Sequence, residues 1–175
     1  MLWLNYDGGA WQDAFWYFVS GKFTWVPLYA VLLWLMYRET RRTHQLRRLW
    51  LMLAVTIVVI LLADQLSSGL IKPLVERLRP SHQPGIMEQL HYVGDYRGGR
   101  YGFVSSHAAN TFALAVWACL LLHRRALWIV MACFAVLNCY SRIYLGVHYP
   151  GDILCGALLG ACCGWLGYWG YKKLV

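Results

Sequence analysis

Apolar and polar positions fall along this chain in long blocks. Apolar runs cover about residues 23–37, 49–71, 106–122, 126–142 and 150–171, and shorter charged or polar pieces separate them. A helix needs ~20 apolar residues to cross the hydrocarbon core of a bilayer. Within lipid, only a helix or a closed barrel satisfies its own backbone. The blocks therefore predict an all-α, polytopic membrane helix bundle with about five transmembrane helices. The first run is short for a crossing. The aromatic stretch before it, WQDAFWYFVS at 11–20, either fuses with it or forms an N-terminal interfacial helix, and the following Gly21 and Lys22 favour the second. Between 72 and 104 the pattern breaks into a Gly-, Pro- and charge-rich stretch that predicts irregular structure. A loop of that length is often a lid or binding loop, and a plain solvated loop is the competing reading. With no internal repeat or low-complexity segment, residues 1–175 read as a single domain.

Composition agrees and narrows the class. Hydrophobic residues make up 59% of the chain and charged ones 14%, well below the usual quarter for charge. The net charge of +8 raises nucleic acid as a partner. However, Lys and Arg cluster in short inter-helix segments, and no nucleic-acid-binding motif is present. Five spans place 38–48, 123–125 and the Lys172–Lys173 tail on one side, with nine of the sixteen Lys and Arg. By the positive-inside rule that side is cytoplasmic, so the 72–104 loop and the 142–150 link face outward. The six cysteines all lie within apolar runs without metal-type spacing and read as packing residues. The N-terminus has no basic n-region and does not look like a cleavable signal peptide.

Three polar clusters sit at outward helix ends: KPLVERLRP at 72–80, GFVSSHAANT at 102–111 and SRIYLGVHYPGD at 141–152. Charge at a membrane boundary is costly unless it is paired or used. Lys72, Arg79 and Arg142 supply positive charge, and arginine forks match phosphate oxygens. Ser105 and Ser106 precede a helix whose free N–H groups favour an anion. His148 lies four residues before Asp152, and either helical geometry or a tight turn brings the pair together. A carboxylate on one ring nitrogen leaves the other free as nucleophile or base. His107, from another helix, is placed to protonate a leaving oxygen. Each group taken singly has a duller reading: headgroup anchors for Lys72 and Arg79, an ordinary N-cap for the serines, satisfied polar networks for the rest. Their convergence on one face favours a phosphate site. Asp64, inside the second span, reads as a buried network member or proton relay. His82 and His91 read as solvated, with contact to a substrate headgroup as the alternative, and Glu76 and Arg77 as making a local or interfacial polar contact.

In order and spacing these clusters resemble the type-2 phosphatidic acid phosphatase superfamily, membrane relatives of the vanadium haloperoxidases. Lys72, six residues, then Arg79-Pro80 matches its first motif. Val104-Ser105-Ser106-His107 stands where its second has Pro-Ser-Gly-His. Ser141-Arg142, five residues, His148, three residues, Asp152 matches its third. The resemblance covers about 49–172, with 1–22 outside it as the interfacial segment. It implies that His148 is the nucleophile, passing through a phosphohistidine, that Asp152 orients it and that His107 is the general acid. Lys72, Arg79 and Arg142 would hold the phosphate oxygens with Ser105 and the Ser106 N–H. The family works without metal or other cofactor, and no carboxylate cluster suited to Mg²⁺ is evident. Val104 and Ser106 depart from the motif, and many members have six membrane helices.

The expectation is an integral membrane phosphatase acting on a lipid headgroup, with the bilayer and the lipid as its only evident partners. By resemblance to short bacterial members, the location is an inner membrane with a periplasm-facing site. The substrates so implied are undecaprenyl diphosphate, lipid A, phosphatidylglycerol phosphate or phosphatidic acid, and Arg97 and Arg100 suit a multiply charged one. A lipid-to-lipid phosphotransferase would use the same site. A transporter would need a polar path through the bilayer, where only Asp64 sits at depth. A purely structural membrane protein would tolerate loss of His148.

Overall fold

A computed structural model describes residues 1–42 and 45–175, without the side chain of Arg42. It is built of helices: α1 Gly9–Val19, α2 Val26–Arg42, α3 Leu46–Asp64, a π-helical stretch Gln65–Ile71 that runs straight into α4 Lys72–Val75, α5 Ser106–Leu122, α6 Arg125–Tyr144 and α7 Pro150–Leu174. The apolar blocks and the helices coincide to within a few residues. The main extension is α2, which runs on into the basic segment to Arg42. Among the described residues, three stretches are long and apolar enough to cross a membrane: Leu46–Val75, Arg125–Tyr144 and Pro150–Leu174. α2 and α5 are 17 residues each. Leu61, Val136, Leu154, Leu158 and Trp165 keep their side chains on the outside of the bundle, as lipid-facing positions require.

α5 is the central helix, buried along most of its length against α3, α6 and α7. Its approach to α7 is set by glycine. A Cβ on Gly156 would lie 2.5 Å from the Ser105 carbonyl oxygen and one on Gly164 2.6 Å from that of Ala113. At Gly160 it would run into the Ala109 carbonyl. Small residues at every fourth position let two helices meet backbone to backbone, the usual source of helix association in lipid. α3 is tied to α5 at depth by the buried Trp117, whose Nε1 donates to Thr56 Oγ1 at 2.8 Å.

The irregular loop is not a free solvated segment. Arg79 N–H donates to the Arg100 carbonyl at 3.0 Å and Gly102 N–H to that of Arg77 at 2.9 Å, so 77–79 and 100–102 run antiparallel across the end of the bundle where α5 and α7 begin. The N-terminus fastens the same region. Asn5, 4% exposed, donates to the carbonyls of Tyr144 and His91 and accepts the His91 N–H. The reading of His91 as solvated is corrected: its Nε2 pairs with Asp13 Oδ1 at 2.8 Å, and Tyr144 OH donates to that same oxygen. Its partner lies 78 positions away, beyond any local pattern.

Candidate active site

The α6–α7 connection is short because Gly146 takes φ +70°, a conformation that costs glycine nothing. It lets Val147 N–H turn back to the Arg142 carbonyl at 3.2 Å. Tyr149 is extended, and α7 opens on Pro150, which needs no N–H partner there. His148 therefore lies outside the helix, and the turn rather than a helical face brings it to Asp152. Its Nδ1 is 3.4 Å from Asp152 Oδ2, an oxygen that also accepts the Tyr149 N–H at 2.9 Å. His148 is 1% exposed and Asp152 0%. Burial, then the charges of Arg79, Arg142 and Lys72, hold the His148 ring well below the ordinary imidazole pKa. A neutral ring with Nδ1 turned to the carboxylate presents Nε2 as a free lone pair.

Asp152 has a further partner that the sequence did not single out. Arg77 Nη2 forms an ion pair with its other oxygen, Oδ1. The guanidinium lies between two rings, 4.8 Å from the Phe103 centroid and 5.1 Å from that of Tyr149. The local contact expected of Arg77 is thus a contact to the third cluster. Asp152 is pinned from both sides by a charge and by the helix N-terminus.

Three cations gather around the histidine. Lys72 Nζ donates to Ser106 Oγ at 2.5 Å, and Ser68 Oγ lies 2.7 Å from the same oxygen. Arg79 uses Nε on the Tyr101 carbonyl at 3.0 Å, while its buried Nη1 has no protein partner among the described residues. Burial and the neighbouring Arg142 lower its pKa to about 10, which leaves it charged at neutral pH. Arg142 is held by Ser20 Oγ and by Tyr96 OH at 2.7 Å, and its buried Nε is likewise unpartnered. Gly98, at φ +67°, passes so close to Arg79 that a Cβ would lie 2.5 Å from Nη1. The glycines of the loop are what let its backbone close over the cations.

At the start of α5, Ser105 is a true N-cap: its Oγ accepts the Ala108 N–H at 3.3 Å, and its own N–H donates to the Asp152 carbonyl at 3.0 Å. His107, in the first turn, lines a cavity of about 820 Å³ together with Lys72, Arg79 and Ser106. Its ring makes no hydrogen bond among the described residues. All eight residues singled out by the sequence are thus brought to one end of the bundle. Arg77, Tyr96 and Ser20 join them as supports, with Lys22 at the cavity wall.

Buried, unpaired guanidinium N–H groups beside a neutral histidine and a second free one, inside a helical membrane protein, have the chemistry that suits a phosphate ester. Comparison with known proteins agrees. Residues 53–175 match the PAP2 superfamily. The chain is 42% identical over 169 residues to a Bacteroides thetaiotaomicron protein named lipid A 4'-phosphatase, covering 94% of this chain and 73% of that one. It is 38% identical over 161 residues to a Porphyromonas gingivalis protein of the same name, covering 89% of this chain and 64% of that one. An undecaprenyl-diphosphatase of Sulfolobus acidocaldarius is 28% identical over 168 residues, 94% of this chain and 72% of that one. In fold, the crystal structure of a PAP2-type phosphatidylglycerolphosphate phosphatase from Bacillus subtilis superposes with a TM-score of 0.68 at 23% identity, across 98% of this chain and 82% of that one. The chain belongs to the PAP2 superfamily, as an integral membrane phosphatase of lipids.

Proposed function

We propose that this protein removes a phosphate monoester from an acylated sugar headgroup of the lipid A type, through a phosphohistidine and without a metal. Lys72, Arg79 and Arg142 grip the phosphate oxygens, aided by Ser105 and the Ser106 N–H. Nε2 of His148 attacks phosphorus while the P–O ester bond breaks, and His107 gives its proton to the leaving sugar oxygen. A water then attacks phosphorus, forming a new O–P bond as the N–P bond breaks and giving a proton to His107, which frees phosphate and His148. Asp152 fixes the His148 tautomer and offsets its developing charge. Five spans, with α2 and α5 completing the three longer ones, put this end outward, on the periplasmic side of a bacterial inner membrane, with α1 at the interface.

The observation that carries the reading is the set of two buried cations, Arg79 and Arg142, and the half-buried Lys72 around the neutral, carboxylate-held His148. Cationic side chains do there what a metal would otherwise do. The names of the two relatives at 42% and 38% identity favour lipid A among the lipid phosphates. The test is phosphate release in micelles containing chelator, wild type against His148→Ala, on lipid A, undecaprenyl diphosphate, phosphatidylglycerol phosphate and phosphatidic acid. Release from lipid A that disappears in a folded His148→Ala protein is expected. Release that survives in the variant would remove the phosphohistidine, and a preference for another lipid would remove the sugar.

A further inference from the structure

One helical turn below the cations, the cavity wall changes character. Asp64 ends α3 where the chain widens into its π-helical stretch, a distortion found often at functional sites. Asn110 lies one turn along α5 from Ser106. Asn110 Nδ2 donates to Asp64 Oδ1 at 3.1 Å, and both residues line the cavity that also holds Lys72, Arg79 and His107.

A carboxylate within a membrane bundle is costly to keep unless something uses it. An ionised Asp offers about four acceptor positions, and this one has a single side-chain hydrogen bond among the described residues. The partner amide holds the carboxylate in place, and its own Oδ1 is closed off without a hydrogen bond. The amide orientation follows from chemistry, since turning it over would set two oxygens face to face. What Asp64 offers the cavity is therefore acceptors only. Acceptors call for O–H or N–H donors, and the negative charge repels a second phosphate.

We infer that Asp64 and Asn110 form a subsite for hydroxyl or amide donors on the leaving group of the substrate. This rests on the phosphatase reading above and sharpens it. A phosphate held by Lys72 and Arg79 sets the adjoining carbons of its alcohol about one turn deeper, ~5 Å. A sugar carries hydroxyl or acylamino groups on those carbons. The diacylglycerol of phosphatidic acid carries none, and the leaving group of a prenyl diphosphate is itself a phosphate, so both leave the remaining acceptor positions of Asp64 empty beside Asn110 and Lys72. A site built to bond a hydroxyl rejects analogues that lack it.

The experiment compares wild type, Asp64→Leu and Asn110→Leu on an acylated glucosamine phosphate and on phosphatidic acid in the same micelles. Each variant should lose about ten- to a hundredfold in kcat/KM on the sugar lipid and stay within about twofold on phosphatidic acid. Activity on phosphatidic acid doubles as the check of folding, and Asn110→Leu leaves α3 untouched if Asp64→Leu folds poorly. Equal losses on both lipids in an active wild-type background would make the pair structural and sink the subsite. Undiminished activity on the sugar lipid would sink it too. A wild type that hydrolyses neither lipid would instead overturn the phosphatase reading itself.

Discussion

A carboxylate held at both oxygens cannot turn, and Asp152 is held by Arg77 on one side and by Tyr149 N–H and His148 on the other. Arg77 thereby acts on His148 through Asp152 as a positioning residue. Arg77→Leu is expected to lower kcat by about ten- to a hundredfold with KM little changed; Arg77→Lys, which keeps the charge but not the fork, should recover part of it. A fall in KM-linked binding alone would place Arg77 on the substrate instead. The second expectation concerns protonation. His148 is kept neutral by burial and by the cations around it, so its titration, followed by histidine NMR in the free enzyme, should fall below pH 6.5. Arg79→Gln removes a charge that opposes protonation, so the midpoint should rise in that variant. A midpoint that stays put would show that Arg79 is not acting on the ring.

The tightest element pair is α5 against α7, and their contact rests on Gly156, Gly160 and Gly164. Gly160→Val forces a branched side chain onto the Ala109 carbonyl and is expected to destabilise by about 1–3 kcal/mol or to prevent assembly. Gly170→Ala, where a Cβ meets nothing within 4 Å, should leave the thermal midpoint in detergent unchanged. Equal midpoints for both variants would mean that the helices part without loss. The helices themselves were legible because each apolar block is a helix and lipid leaves the chain little alternative. The three clusters were legible because charge at a helix end in a membrane needs a reason. Arg77 was not, since its partner is 75 positions away and its neighbours in sequence are ordinary. The glycine spacing was visible in principle at 156, 160 and 164, but its partner helix was not. The loop was misread in part for the same reason: Asn5, which fastens it, lies 86 positions from His91.

At the scale of the molecule the polar groups gather at one end and the basic connections at the other, and the positive-inside rule then predicts that the polar end faces outward. A cysteine placed at Gly94, in the 72–104 loop, should react with a membrane-impermeant maleimide added outside intact spheroplasts; one placed at Arg125, at the start of α6, should react only after lysis. The reverse pattern would turn the site to the cytoplasm. The gathered cations have one more effect, on equilibrium rather than on rate. Lys72, Arg79 and Arg142 repel one another in a buried place, and Arg79 and Arg142 each keep an unpaired N–H there. Inorganic phosphate relieves that repulsion and binds only the folded chain. By linkage it should raise stability by about 2.7 kcal/mol at a hundred times its Kd, seen as a higher melting temperature that Arg79→Gln abolishes. A melting temperature indifferent to phosphate would mean that the cations do not share an anion. On that expectation the reaction's product would stabilise its own catalyst, and fast turnover would require letting go of a ligand that holds the fold.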